Sequence, residues 1–89
     1  MNYIVYIIIN IDHNRFPTYV GYTSDLNKRL NLHNKSKGAK FTRGRNWEII
    51  YKAKYSSKTE AMKNEYKLKK NRIKRNKIKL NYLIKNKHI

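Results

Sequence analysis

The sequence contains no cysteine, few acidic residues and no apolar run long enough to cross a membrane. The lack of cysteine excludes disulfide bonds and thiolate metal ligands, so any metal must be held by oxygen or histidine ligands. The apolar stretch from Ile4 to Ile9 is far shorter than the ~20 residues of a membrane helix, and no basic segment precedes it. A buried strand explains this stretch, and we expect a cytoplasmic protein with no membrane partner.

The excess of basic over acidic residues is the strongest feature of the composition. The 89-residue chain has 5 Asp and Glu against 22 Lys and Arg, which gives a formal net charge of +17. A chain this basic attracts polyanions, so nucleic acid is the predicted partner. Anionic membrane is a weaker alternative, because the basic segments lack a broad aromatic and leucine face. The composition also allows two further explanations, a genomic bias towards Lys, Asn and Ile and a ribosome-type partner.

Hydrophobic patterning predicts three strands and three helices in the order β-β-α-β-α-α. Continuous β-branched and aromatic residues are typical of a central strand, and alternation is typical of a half-buried strand at a sheet edge. Gly21 within the second strand indicates a bend or a close backbone approach. With no repeat or linker, we predict a single domain spanning 1–89. Strands are predicted at 2–10, 18–23 and 47–55, and helices at 25–35, from 58 onward and at 72–85.

Capping residues and side-chain periodicity predict how the later elements begin and which face each one buries. Ser24 and Ser57 are the predicted N-caps of the first two helices. The third strand is predicted to place one set of side chains on a single face: Trp47, Ile49, Tyr51, Ala53 and Tyr55. The second helix is predicted to turn another set inward: Ala61, Met62, Glu65, Tyr66 and Leu68. An irregular apolar stripe marks the third helix: Ile73, Ile78, Leu80, Leu83 and Ile84.

Five polar side chains could perform phosphodiester chemistry if the fold brings them together. They are Tyr6 and Tyr19 in the strands, Arg29 and His33 in the first helix, and Glu65 in the second helix. A permanently charged guanidinium suits a phosphate under attack. A single carboxylate can hold Mg²⁺ together with water and substrate phosphate. By residue type alone, however, the tyrosines fit a core role, Arg29 an exposed one, and Glu65 a structural salt bridge, so spacing leaves both interpretations open.

Two basic segments are candidates for contacts with a nucleic acid backbone. The polar loop between the first helix and the third strand carries Lys37, Lys40, Arg43 and Arg45, and a solvated connection explains it equally well. The second segment begins near the end of the second helix and carries Lys69, Lys70 and Arg72. Eleven Lys or Arg lie between Met62 and the last residue, with Glu65 as the only acid among them.

The order of these residues resembles the GIY-YIG nuclease family. The chain carries the two tripeptides of that family, then a helix arginine and a later glutamate: Val5-Tyr6-Ile7, Tyr19-Val20-Gly21, Arg29 and Glu65. It departs from the family pattern with Val5 for Gly and Val20 for Ile, and it keeps both tyrosines. The stretches 19–44 and 61–67 are similar to the small stand-alone bacterial branch, the UPF0213-like proteins. The resemblance covers nearly the whole chain.

The resemblance implies a fold and a chemistry. The implied fold is an α/β sandwich in which helices flank a central three-stranded antiparallel sheet. The implied activity is cleavage of DNA that depends on a divalent metal, Mg²⁺ or Mn²⁺. The implied roles are metal binding by Glu65, stabilisation of the phosphate by Arg29, general-base action on water by Tyr19, and positioning of water or phosphate by Tyr6. His33 matches a catalytic-site position with a less settled role.

We therefore expect a DNA endonuclease that acts in DNA repair or recombination and associates with the nucleoid when bound to DNA. RNA is an alternative substrate. Two alternatives of a different class are a non-catalytic nucleic-acid-binding module of the same fold and a nuclease subunit that depends on a protein partner. Binding without cleavage would identify the first alternative, and a stable co-purifying protein would identify the second.

Overall fold

A computed structural model describes residues 2–35 and 46–86 of the chain. Its strands form one antiparallel sheet in the order β2-β1-β3, so the most apolar strand lies at the centre. The predicted α/β sandwich, with a three-stranded antiparallel sheet flanked by helices, is confirmed. The elements are β1 (Tyr3–Ile9), β2 (Thr18–Thr23), α1 (Leu26–Asn34), β3 (Glu48–Tyr55), α2 (Lys58–Lys70) and α3 (Arg72–Lys85).

The sheet separates two helical layers. Successive residues of β1 point to opposite faces, so this central strand contributes to a buried cluster on each side. One cluster joins the sheet to α2 and contains Val5, Ile7, Val20, Ala61 and Leu68. The other joins it to α1 and contains Tyr6, Ile8, Leu26 and Trp47. Helix α1 therefore covers one face, and α2 covers the opposite face together with α3, whose Ile78 packs on the first cluster.

Strand β3 does not keep the single alternation that was predicted for it. Its pairing with β1 shifts register at Ile50, which has no residue opposite it. An extra residue at this point reverses the faces of the residues on either side of it. The prediction of one shared face was therefore wrong, because the residue pattern does not mark the irregularity. Trp47 and Ile49 pack on the side of α1, and Tyr51 and Tyr55 pack on the side of α2.

The helices begin at side-chain caps, one of which differs from the prediction. Ser57 caps α2 as predicted, since its hydroxyl accepts a hydrogen bond from the backbone N–H of Glu60. At α1 the cap is Asp25, whose carboxylate accepts from the N–H of Lys28, and not its neighbour Ser24. A carboxylate at this position also interacts favourably with the positive end of the helix dipole.

Helices α2 and α3 bury narrower stripes than predicted. Ala61 and Leu68 of α2 and Leu83 of α3 are buried. Five apolar residues that were predicted to belong to the inner stripes are instead 48% to 78% exposed: Met62, Tyr66, Ile73, Leu80 and Ile84. That part of the prediction was wrong. Among the described residues, no helix combines the length and the apolar character that crossing a membrane requires.

Asn34 ties the end of α1 to the start of β3. Its Oδ1 accepts the backbone N–H of Trp47 at 2.6 Å, and its Nδ2 donates to the backbone carbonyl of the same residue at 3.3 Å. Trp47 is 3% exposed and packs in the α1-side cluster. The two hydrogen bonds therefore hold the last residue of α1 next to Trp47, the residue that precedes β3.

Candidate active site

A groove at the β2 edge of the sheet brings together four of the five residues with predicted chemical roles. We call it the edge groove. Tyr6 comes from the central strand, Tyr19 from the edge strand, Arg29 from α1 and Glu65 from α2. Because α1 and α2 cover opposite faces of the sheet, the groove curves around the edge and joins both layers.

Gly21 allows Tyr6 to reach the edge groove. The two residues pair across β1 and β2. A Cβ atom at position 21 would lie 2.5 Å from the hydroxyl oxygen of Tyr6 and 2.7 Å from its Cζ. The ring of Tyr6 is 1% exposed, so the packed core gives it little room to move away. The glycine in β2 is therefore explained by the close approach of a tyrosine ring to the backbone.

His33 lies behind Tyr6 and outside the lining of the edge groove. Its Nε2 is 2.8 Å from the hydroxyl oxygen of Tyr6, and the residue is 0% exposed. Its ring centroid is 5.2 Å from that of Tyr19, with the planes inclined by 59°. The catalytic role predicted for His33 therefore stays a prediction, and the structure places this residue behind the groove wall. A fully buried imidazole contacts the two tyrosines, so any effect on the groove acts through them.

Burial sets the protonation of this pair. Burial, and then the charge of Arg29, lower the pKa of His33 below the ordinary 6.5, so the imidazole is neutral at neutral pH. Burial raises the pKa of Tyr6 above the ordinary 10.0, although the hydrogen bond and charge of Arg29 oppose the effect. A neutral phenol and a neutral imidazole thus share one hydrogen bond, and the imidazole tautomer decides which of them donates.

The guanidinium of Arg29 stands beside both tyrosines. The hydrogen bond with Tyr6 is the largest cause that raises the pKa of Arg29, with smaller contributions from Tyr19. Its Nε is buried and has no hydrogen-bond partner among the described residues. Unsatisfied buried donors are rare in folded proteins, so this N–H is available to a ligand or a water molecule. A charged, forked donor next to two hydroxyls is an arrangement that suits a phosphate group.

Glu65 is the one carboxylate among the described residues that line the edge groove. Its Oε1 lies 3.3 Å from Nζ of Lys69, one helical turn further along α2, and its side chain is 17% exposed. The structural salt bridge that the sequence left open is therefore present. No group of three His, Asp or Glu in the described part of the chain could hold a metal ion. A metal in this groove would depend on Glu65, water and substrate.

Lys58 is a groove residue that the sequence did not reveal. It starts α2, two turns before Glu65, and both side chains line the edge groove. The seven-residue spacing that puts them on one helical face was readable from the sequence. In a chain with 22 Lys and Arg, however, that spacing does not distinguish one lysine from the others.

The residues predicted to contact nucleic acid fall in two groups. Lys69 and Lys70 end α2 and Arg72 begins α3, and all three are exposed. Nζ of Lys70 lies 5.3 Å from the ring centroid of Tyr66, which turns this lysine towards a neighbouring aromatic side chain. The other four residues lie outside the described residues, so their roles stay predictions: Lys37, Lys40, Arg43 and Arg45.

Comparison with known families identifies the class of protein that this fold and groove belong to. The family model described as the GIY-YIG catalytic domain matches residues 2–79. The chain therefore belongs to the GIY-YIG family, which is a family of nucleases. The resemblance seen in the two tripeptides is confirmed.

Individual relatives narrow the class to a bacterial branch. A UPF0213 protein of Oceanobacillus iheyensis is 50% identical over 52 residues, which cover 57% of this chain and 60% of the relative. UPF0213 protein YazA of Bacillus subtilis is 51% identical over 53 residues, which cover 58% of this chain and 54% of the relative. The matched stretch thus spans only between half and two thirds of these relatives.

A solved structure extends the comparison over most of the chain. The solution NMR structure of a UPF0213 protein from Bacillus halodurans is 38% identical, with a TM-score of 0.50, and the match covers 88% of this chain and 82% of that one. The predicted similarity to the small UPF0213 branch is confirmed.

Proposed function

We propose that this protein is an endonuclease that hydrolyses phosphodiester bonds of DNA with the help of Mg²⁺ or Mn²⁺. The observation that supports it is the edge groove, where two tyrosine hydroxyls, a guanidinium and one carboxylate converge from four different elements. Residues so far apart in the sequence need not share a groove for the fold to be stable. A formal charge of +17 favours a polyanionic substrate.

Arg29 binds the phosphate that is cleaved. The attacked phosphorus gains negative charge on its oxygens, and a guanidinium that cannot lose its proton stabilises that charge throughout the reaction. Arg29 is held beside Tyr6 and Tyr19 before any substrate arrives, so little reorganisation is needed. Lys58 adds a second positive charge from the α2 side of the same groove.

The two tyrosines have different roles towards the attacking water and the phosphate. Burial raises the pKa of Tyr6, so this hydroxyl stays protonated and orients the water or a phosphate oxygen by hydrogen bonding. Tyr19 is only partly buried and borders the groove from the edge strand. We assign it the general-base role, in which Tyr19, as the phenolate, accepts the proton of the attacking water and becomes the phenol.

Glu65 fits a magnesium or manganese ion and does not fit zinc. Mg²⁺ keeps several waters and is held by one or two carboxylates plus substrate phosphates, which matches a groove with one carboxylate. Zinc takes three or four protein ligands, and the described residues offer no such group. When bound, the cation supplies positive charge that offsets the negative charge gained by the phosphate oxygens. Without it, Lys69 balances the charge of Glu65.

The test is cleavage of labelled single-stranded, duplex and branched DNA in the presence of Mg²⁺ or Mn²⁺. Wild type is compared with Glu65→Gln and with the control Glu60→Gln, which removes an exposed carboxylate from the same helix. We expect a loss of at least about 100-fold for Glu65→Gln and little change for the control. Equal activity of Glu65→Gln and wild type, or activity that survives chelation, would overturn the proposal.

A non-catalytic nucleic-acid-binding module is the second candidate, and the strong positive charge favours it. That protein would bind DNA with a steep salt dependence and would cleave none of the substrates. It would also be indifferent to Tyr19→Phe, whereas the nuclease loses activity when the hydroxyl of Tyr19 is removed.

A further inference from the structure

A second depression adjoins the edge groove. It is lined by Thr18, Tyr19, Val20, Lys69 and Arg75, and we call it the flanking basin. Tyr19 lines both the groove and the basin, so the two form one continuous surface along β2. The basin joins the start of β2 to the end of α2 and the first turns of α3.

The flanking basin has positive charge and no negative charge among the described residues that line it. Lys69 is half exposed, and its ion pair with Glu65 spans 3.3 Å. Nε of Arg75 donates to the backbone carbonyl of Leu68 at 3.1 Å, which anchors the guanidinium to the end of α2. That bond engages one of the five N–H groups of an arginine. The remaining donors are of the kind that bind phosphate in a forked geometry.

The other side of the edge groove is electrostatically different. A depression there shares Thr23, Ser24 and Arg29 with the groove and also contains Lys28 and Asp25. The carboxylate of Asp25 offsets part of the positive charge on that side. On the basin side, the carboxylate of Glu65 pairs with Lys69 but lines the groove and not the basin, so Arg75 is the basin cation with no ion pair among the described residues.

The dimensions match the spacing of a nucleic acid strand. Strand residues are about 3.3 Å apart, so Thr18 in the basin and Gly21 in the groove are about 10 Å apart along β2. One strand of DNA places a phosphate about every 3.4 Å along the helix axis. When the cleaved phosphate of a DNA strand lies in the groove, another phosphate of the same DNA strand therefore lies at the basin within about three nucleotides.

We propose that Lys69 and Arg75 form a subsite for a backbone phosphate of the DNA strand, next to Tyr19 and within about three nucleotides of the cleaved phosphate. The position of this subsite relative to the cleaved phosphate rests on the proposed function. The existence of the subsite is independent of cleavage, because it requires only that DNA binds along β2. In this proposal Arg75 is a DNA-binding residue. The bound DNA strand runs along the edge of the sheet formed by β2.

Binding without cleavage tests the subsite. Fluorescence anisotropy with duplex DNA, in chelator and over a range of salt concentrations, gives the slope of log affinity against log salt. Arg75→Gln, Lys69→Gln and Lys54→Gln are each compared with the wild type, in which the ion pair between Lys69 and Glu65 is intact. Lys54 is exposed on β3 at the opposite edge of the sheet and serves as the matched control. We expect Arg75→Gln and Lys69→Gln each to make the slope shallower by about 0.9, and Lys54→Gln to leave it unchanged.

Further controls separate folding and catalysis from the subsite. Arg75→Lys keeps the charge and changes the contact to Leu68, so it should keep most of the slope even where thermal unfolding shifts. Single methylphosphonate linkages then remove one phosphate charge at a time. A methylphosphonate at the phosphate bound by Arg75 should lower the affinity of the wild type. The same methylphosphonate should not lower the affinity of Arg75→Gln. Slopes for Arg75→Gln and Lys69→Gln equal to that of Lys54→Gln would overturn the subsite, whether or not the wild type cleaves DNA.

Discussion

The hydroxyl oxygen of Tyr6, a residue that lines the edge groove, lies 2.8 Å from Nε2 of the fully buried His33. This hydrogen bond joins the central strand to α1 across 27 positions of the sequence. It also fixes the phenol whose hydroxyl borders the edge groove. A contact in the core thereby sets the geometry of the groove surface.

Replacement of His33 by phenylalanine should destabilise the protein by about 1–3 kcal/mol, because it removes the buried hydrogen bond to the hydroxyl of Tyr6 and leaves Arg29 as the remaining partner. The double variant Tyr6→Phe/His33→Phe should be less destabilised than the sum of the single variants, since both single substitutions remove the same hydrogen bond. Urea unfolding of the four proteins measures this coupling free energy. Strict additivity would contradict the importance of the hydrogen bond.

The stability of the protein should fall as the pH drops below about 6.5. The pKa of His33 is lowered in the folded protein by burial and by Arg29. Below the ordinary value of 6.5, the unfolded chain therefore takes up a proton that the folded chain does not. This contribution is complete above 6.5 and is lost towards the lower folded pKa, by at most ~1.4 kcal/mol per pH unit.

Unfolding midpoints between about pH 7.5 and 5.5 test this dependence. The slope should be smaller in His33→Phe than in the wild type. The exposed His13 is the matched control, and His13→Gln should keep the wild-type slope. A wild-type slope that persists in His33→Phe would assign the dependence to other groups.

Gly21→Ala should destabilise the protein and abolish cleavage together. The added methyl group would meet the hydroxyl and Cζ of Tyr6 at 2.5 and 2.7 Å, so the tyrosine ring has to move. Overpacking of this kind costs about 1–3 kcal/mol. Thermal unfolding measures the cost, and cleavage at a temperature where the variant is folded measures the displacement of Tyr6. Full activity of the folded variant would show that the position of Tyr6 is unimportant.

Asn34→Ala should reduce the free energy of unfolding by about 1–3 kcal/mol. The substitution removes both hydrogen bonds to the backbone of Trp47, each of which contributes about 0.5–1.5 kcal/mol. Asn31→Ala is the matched control, because Asn31 is an exposed position of the same helix. Alanine is also the better helix former, so the control should be neutral or slightly stabilising. Equal unfolding midpoints for the two variants would refute the role of this tie.

The order of elements was readable from the sequence because each pattern is local. The continuous apolarity of β1, the alternation in β3 and the cap at Ser57 each depend on neighbouring residues. The register shift at Ile50 depends on how β3 meets β1, and no local pattern specifies that meeting. The exposure of Tyr66 and Ile73 likewise depends on how α2 and α3 are placed over the sheet.

The candidate site was predictable where residue order carries the family pattern. Tyr6, Tyr19, Arg29 and Glu65 lie around one groove as that pattern implies. The burial of His33 was not predictable, because a histidine on a helix face fits a surface role or a core role equally well. Lys58 and Arg75 were missed since only the packing of α2 and α3 against β2 distinguishes them from other basic residues.

The edge groove takes residues from both layers of the sandwich, with Arg29 on one face of the sheet and Glu65 on the other. Detachment of either layer separates the guanidinium from the carboxylate, even if the remaining layer stays intact. A partly unfolded molecule therefore has no complete site. The proposed endonuclease would therefore acquire its complete site only when the whole domain has folded.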